Sequence, residues 1–194
     1  YGEGVVAAFG PGTRVEMFAM MIPIALGTTM MPIIGQNWGA DLFERVNRVR
    51  FLANRFGIAF GALTVVVLWP IAPWIAGLFS QDPDVVTHLV NYIRIVPVGS
   101  GMLSVCMYVG LSLNAIGHPI KSALVSALRA FVFVIPFAWI GSVLYGINGM
   151  FAGLAAGAIG AGMISLYLGQ LFFANAVIMR KGVLESTRIE ATAS

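Results

Sequence analysis

Five apolar stretches, at roughly 15–36, 56–79, 89–113, 122–144 and 149–178, fill most of the chain and are separated by short polar breaks. A hydrocarbon core of about 30 Å takes about 20 helical residues to cross, and each stretch reaches that length. The pattern predicts an all-α fold: a polytopic transmembrane helical bundle of about five spans. Prolines punctuate the spans. Pro23 and Pro32 should bend the first, Trp69-Pro70 and Pro73-Trp74 lie near one end of the second, Pro97 accompanies Gly99 and Gly101 in the third, and Pro136 interrupts the fourth. Gly10-Pro11-Gly12-Thr13 breaks the opening apolar run, so span 1 either starts there or belongs to a longer helix kinked there.

The fifth span carries small residues at intervals of four: Gly149, Gly153, Gly157, Ala161, Ser165 and Gly169. Such a row lets two helix backbones approach closely. Tight packing within the chain is the expectation, and homodimerisation through that face is the alternative. The segment 180–194 is polar and reads as a flexible cytoplasmic tail, leaving 1–179 as the transmembrane part.

Composition agrees with the pattern. Hydrophobic residues make up 59% and charged residues 10% of the 194 residues, against about 25% charged in a soluble domain. The isoelectric point near 9.4 would suit a nucleic-acid ligand, but the placement of the basic residues speaks for topology instead. Arg45, Arg48, Arg50 and Arg55 follow span 1, Lys121 follows span 3, and Arg180, Lys181 and Arg188 follow span 5. The alternate loops, 80–84 and 145–148, carry no base. Basic loops stay cytoplasmic, so span 1 runs inward and the C-terminus is cytoplasmic. Anionic lipid is a secondary role for the 45–55 cluster. An odd number of spans starts outside, which is consistent with a fragment preceded by at least one more helix. Cys106 is the single cysteine, so no intrachain disulfide forms, and the thiol reads as a small core residue.

No catalytic or metal-binding grouping stands out. His88 and His118 fall on opposite sides of the membrane, the first as a solvated loop residue and the second capping the turn at Pro119. The informative residues are charges inside spans, which usually face a cavity or a partner: Arg14, Glu16, Arg94 and Arg129. Arg14 and Glu16 are two apart and do not pair well on a helix. Glu16 either pairs with Arg94, faces a water-filled cavity as a proton or cation site, or sits at the interface. Arg14 and Arg94 are structural or cavity-lining candidates, and Arg129 has a stem long enough to snorkel.

The run Gly4-Val5-Val6-Ala7-Ala8-Phe9-Gly10, then Thr13-Arg14-Val15-Glu16, then Gly35-Gln36-Asn37-Trp38-Gly39-Ala40, resembles the MATE (multidrug and toxic compound extrusion) transporters. Tyr92-Ile93-Arg94 and the Asn114-x-x-Gly117 closing are similar too. The resemblance implies helices 8 to 12, with the opening residues as the end of helix 7 and its loop. The chain would then be the C-terminal lobe, half of a twelve-helix, two-lobe transporter built around a central cleft. It further implies a monomeric secondary antiporter of the bacterial inner membrane, exporting cationic or amphipathic drugs and toxins in exchange for H+ or Na+, with no cofactor, no metal and no nucleic-acid partner. The family's C-lobe cation ligands lie on helices 7 and 10. Span 3, the apparent helix 10, has no carboxylate between Asn91 and Asn114, so Glu16 is the local candidate. The rivals are a lipid-linked oligosaccharide flippase of the same superfamily and a non-transporting membrane scaffold subunit. An enzyme is the least favoured reading, because no catalytic set stands out.

Overall fold

The computed structural model describes residues 3–193; Tyr1, Gly2 and Ser194 lie outside the described residues. The elements run α1 (Glu3–Gly39), α2 (Phe43–Phe79), α3 (Pro83–Ile95), a 3-10 turn (Val96–Gly99), α4 (Ser100–Ala115), α5 (Pro119–Ala127), a π-helical stretch (Leu128–Val134) and α6 (Ile135–Ala193). The all-α expectation holds. Pro97 explains the tight turn between α3 and α4: it has no N–H to give the preceding turn, and the backbone tightens to 3-10 form before resuming at Ser100.

Among the described residues four continuous helical segments are long and apolar enough to cross a membrane, the last spanning 72 residues from Pro119 to Glu190. At 1.5 Å per residue that segment would extend about 108 Å, several times the bilayer core. It folds back on itself instead. Tyr145 (φ −133°, ψ 21°) and Gly146 (φ 62°, ψ −142°) leave helical geometry, and Gly146 takes a left-handed φ at no steric cost. The residues after the break return antiparallel to 119–144, so the chain makes five crossings.

The two limbs of this hairpin touch backbone to backbone. A Cβ placed on Gly149 would fall on the Gly141 carbonyl, one on Gly153 on the Phe137 carbonyl, and one on Gly157 would meet the Phe133 carbonyl. Further along, Gly162 faces Met102, and Gly169 faces Val109 of α4. The small-residue row is therefore consumed inside the chain, first against the returning limb and then against α4, which removes it as a dimerisation face. Ser165, on the same row, donates to the Ala161 carbonyl at 2.6 Å and lies 3.1 Å from the Cys106 sulfur.

Helix α4 is the hub and packs against α1, α2, α5 and α6. Its buried residues include Val105, Cys106, Tyr108, Val109 and Leu113. Gly57 and Gly61 bring α2 against Gly101 so closely that a side chain at Gly61 would overlap the Gly101 backbone. Tyr108 is 1% exposed, and its hydroxyl donates to the Pro23 carbonyl at 3.0 Å, tying the hub to α1.

Two helix ends share one closing device. After α4, the His118 N–H bonds the Leu113 carbonyl and the Gly117 N–H the Asn114 carbonyl, with Gly117 at φ 79°. After α1, the Leu42 N–H bonds the Asn37 carbonyl and the Asp41 N–H the Trp38 carbonyl, with Asp41 at φ 58°. Both are Schellman closures, the second with Asp where Gly is usual. Arg180 compensates there, donating through Nε to Asp41 Oδ1 at 2.9 Å. Asp41→Ala is expected to cost about 1 kcal/mol, most of it the left-handed conformation, because the half-exposed ion pair is worth less than about 1 kcal/mol. Asp41→Gly should be near neutral. Thermal melting of both variants checks this; an equal loss for Gly and Ala would make the ion pair dominant.

Two sequence expectations need correction. The opening residues form no loop: α1 runs unbroken from Glu3 through Pro11, because Gly10 and Gly12 flank a proline whose ring a helix tolerates at the cost of one hydrogen bond. The segment 180–193 is not a loose tail but continues α6, and its base is held by Arg180.

Candidate functional site

Residues of α1, α3, the 3-10 turn, α4, the π-helical stretch and α6 line a half-open pocket of about 350 Å³. Glu16 lines it from α1 and accepts a hydrogen bond from the Tyr92 hydroxyl at 2.8 Å. Tyr92 is 2% exposed and firmly seated. Phe9 and Phe151 meet its ring edge-on at centroid distances of 5.6 and 5.1 Å, and Gly12 leaves just enough room for it, since a Cβ there would lie 2.6 Å from the ring. The carboxylate is thus aimed by a rigid phenol.

Thr13, Ser100 and Arg129 also line the cavity. Ser100 Oγ is buried and has no hydrogen-bond partner. No ion pair among the described residues involves Glu16 or Arg129, so the two opposite charges line one pocket without joining. Arg129 sits in the π-helical stretch, a geometry frequent at functional sites, and it also lines a second, smaller pocket of about 210 Å³ with Asn114, Ser122 and Ser126.

The expected Glu16–Arg94 pair does not form. Arg94 turns toward α2, where its Nε donates to the Trp69 carbonyl at 3.3 Å and its guanidinium lies 5.8 Å from the Trp69 ring. The reason lies in α2 itself. The Trp69 carbonyl would normally accept from residue 73, but Pro73 has no N–H, so the carbonyl is left for Arg94. Arg94→Leu is expected to cost about 1 kcal/mol by orphaning that carbonyl, and Pro73→Ala should make the same substitution nearly harmless. Melting curves of the two single variants and the double variant test the coupling; additive losses would rule it out.

Arg14 is exposed and lies with Glu16, Met17, Phe18 and Met21 along an open apolar groove on the outer face of α1. Glu16 therefore borders both the half-open pocket and the groove on the outer face. His88 is not in a loop: it lies on α3, half-buried, with a buried Nδ1 that has no partner. His118 precedes α5 without capping it through its side chain, and burial and the nearby Lys121 ammonium hold its imidazole below the ordinary pKa. Among the described residues no group of three or more His, Cys, Asp or Glu is placed to hold a metal ion.

Sequence reasoning passed over Tyr92 as a site residue, counted Arg129 among the intramembrane charges but as a snorkelling side chain, and read Arg50 as part of a basic loop. Arg50 is 7% exposed. The signal was present in periodicity: Val46, Arg50, Ala53, Gly57, Gly61 and Thr64 form the buried stripe of α2, at the three- and four-residue spacing of a helix face.

The MatE family model matches residues 1–140. The FAD transporter of Shewanella oneidensis is 33% identical over 168 residues, which cover 87% of this chain and 37% of that protein. The multidrug export protein MepA of Staphylococcus aureus is 24% identical over 152 residues, 77% of this chain and 33% of its own. The crystal structure of the Vibrio cholerae MATE transporter VcmN in its bent form superposes with a TM-score of 0.88 at 31% identity, over 91% of this chain and 40% of that one. An outward-facing multidrug resistance MATE transporter of the MOP superfamily shares the fold at a TM-score of 0.85 and 21% identity, over 90% and 40%. The chain spans less than half the length of the relatives it matches. With a family match over most of its length and the same helical arrangement, the chain belongs to the MatE family of membrane transporters.

Proposed function

We propose that this chain forms the C-terminal lobe of a secondary antiporter of the bacterial inner membrane, exporting small amphipathic molecules, with Glu16 as the residue that takes up the coupling H+ or Na+. The observation that carries the reading is the Glu16 carboxylate, oriented by Tyr92 at the edge of a half-open pocket and not neutralised by a fixed cation among the described residues. An ionisable group inside a membrane protein is costly unless it has a partner or a function, and a carboxylate that borders two open pockets can exchange its charge with either. Arg129 supplies a fixed positive charge to the same space, so binding of a cation at Glu16 changes the net charge that a substrate meets there. The wall is mostly apolar, with Phe9, Val96, Leu103 and Leu154, which suits an aromatic or aliphatic body.

A second reading has its own support. Arg129 in the cavity, together with the relative named as an FAD transporter, favours an anionic, phosphate-bearing substrate over the drug cations suggested by the multidrug relatives. Both readings share the coupling residue and differ in cargo.

The test uses the full-length gene in pump-deficient cells. Ethidium accumulation and release of FAD into the medium are each measured with and without a proton uncoupler and in sodium-free buffer. Lower ethidium accumulation that the uncoupler abolishes supports drug export driven by protons, and loss of the effect only without sodium assigns Na+. FAD release without ethidium export selects the anionic cargo. Neither effect, with the protein present in the membrane, overturns the transport reading.

A further inference from the structure

At the end of the bundle that carries the α1–α2 turn, α2 and the 166–178 stretch of α6 leave a groove of about 820 Å³ between them. Its floor is charged. Arg50 projects from the buried stripe of α2, 7% exposed, with Nη2 donating to the Gly169 carbonyl at 2.7 Å and the guanidinium 4.1 Å above the Phe173 ring. A carbonyl and an aromatic face hold the side chain in place but do not neutralise it, and no described carboxylate lies within 4.0 Å. A guanidinium has five N–H donors, so one carbonyl leaves most of them to be met. Next to it, Asn54 lines the same groove with a buried side-chain oxygen that has no partner. Arg55 adds a second positive charge, and Glu44, in the first turn of α2, adds a negative one.

The charges are ordered along the helix. Glu44 is six residues before Arg50, about 9 Å nearer the membrane surface at 1.5 Å per residue. The walls beside them are apolar, including Phe51, Ile58, Leu166 and Val177. A ligand matching this groove carries a phosphodiester at the level of Arg50 and Arg55, a primary ammonium further out toward Glu44, and hydrocarbon along the walls. Bidentate guanidinium binding suits the phosphate. We propose that the groove is a binding site for an aminophospholipid of the phosphatidylethanolamine class, with Arg50 as the phosphate anchor and Glu44 as the residue that selects the ammonium. The site is separate from the Glu16 cavity and stands whatever the transported substrate is.

The test measures thermal melting of the delipidated full-length protein in detergent, titrated with phosphatidylethanolamine, phosphatidylglycerol or phosphatidylcholine, and with water-soluble O-phosphoethanolamine. A saturable rise in Tm, largest with phosphatidylethanolamine, is expected. Arg55→Gln should raise the half-saturating lipid concentration about ten- to a hundredfold, the loss of one charge-assisted contact, and Arg50→Gln should remove the response. Glu44→Gln should keep the response and lose the preference over phosphatidylglycerol. Because Arg50→Gln also frees the Gly169 carbonyl and can fail to fold, Asn54→Leu, which narrows the groove and leaves Arg50 in place, serves as the independent variant and should weaken the lipid effect. An equal response to all three lipids, an unchanged response in Arg55→Gln and Asn54→Leu, or full reproduction by O-phosphoethanolamine alone each overturns the proposal. So does a complete lack of lipid response, which would mean that another segment of the full-length chain fills the groove.

Discussion

Glu16→Gln, in the full-length transporter, is expected to abolish gradient-driven export while leaving the protein as abundant as the wild type. The amide is isosteric and its oxygen still accepts from the Tyr92 hydroxyl, now 2.8 Å from the carboxylate, so the fold keeps its contact. The change in stability should stay within about 1 kcal/mol, since one hydrogen bond weakens from charged to neutral. What disappears is the ability to gain and lose a unit charge. Without it, substrate affinity can no longer depend on whether a cation is bound, and linkage requires that dependence for coupling. The residual activity should be a downhill leak that ignores the uncoupler. Tyr92→Phe separates orientation from charge: it keeps the carboxylate and removes the bond that aims it, so coupled export should fall without vanishing. Uptake and efflux in proteoliposomes with an imposed pH or sodium gradient give the readout. Wild-type coupling in Glu16→Gln would sink Glu16 as the coupling residue, and the site would then lie elsewhere in the full-length chain.

Gly149→Val should have the largest effect on folding. The Gly141 carbonyl occupies the place of the new side chain, and the same backbone contact repeats at Gly153 against Phe137 and Gly157 against Phe133. Two helices in backbone contact cannot part at one point without losing the row, so the hairpin would have to open along its whole length. Overpacking of a well-packed site typically costs about 1–3 kcal/mol, and here it should exceed about 4 kcal/mol because no flexible side chain is available to move. Even Gly149→Ala should lower Tm sharply. Gly77 in α2 is the control: nothing lies within 4 Å of a Cβ there, so Gly77→Ala should be neutral or slightly stabilising, as for an open helix position. If Gly149→Ala and Gly77→Ala behave alike, the close approach of the limbs is wrong.

The two expectations that held best, five crossings and tight packing of the small-residue row, depend on local sequence alone. Each span is set by the length of an apolar run, and the row by a spacing of four on one helix. The expected Glu16–Arg94 pair failed because it relied on matching depth in the membrane and ignored backbone chemistry in a third helix. Pro73 frees a carbonyl, and the nearest guanidinium goes to it. Similarly, Arg50 was read with its basic neighbours by proximity along the chain, although its place in the buried stripe of α2 set it apart from Arg45, Arg48 and Arg55.

Hydrophobic length and the placement of charge were enough to establish a multi-spanning helical membrane protein, because the bilayer imposes its thickness on every span independently of the others. Local residue patterns were enough to mark the helix ends, through Gly117 and the polar run before Leu42, and to single out Glu16. The partners of Glu16, Arg94 and Arg50 were decided by tertiary packing. They depend on the rotation of each helix about its axis and on which carbonyls the prolines leave free, and those are set by contacts between segments as far apart in the chain as Glu16 and Tyr92, or Arg50 and Gly169.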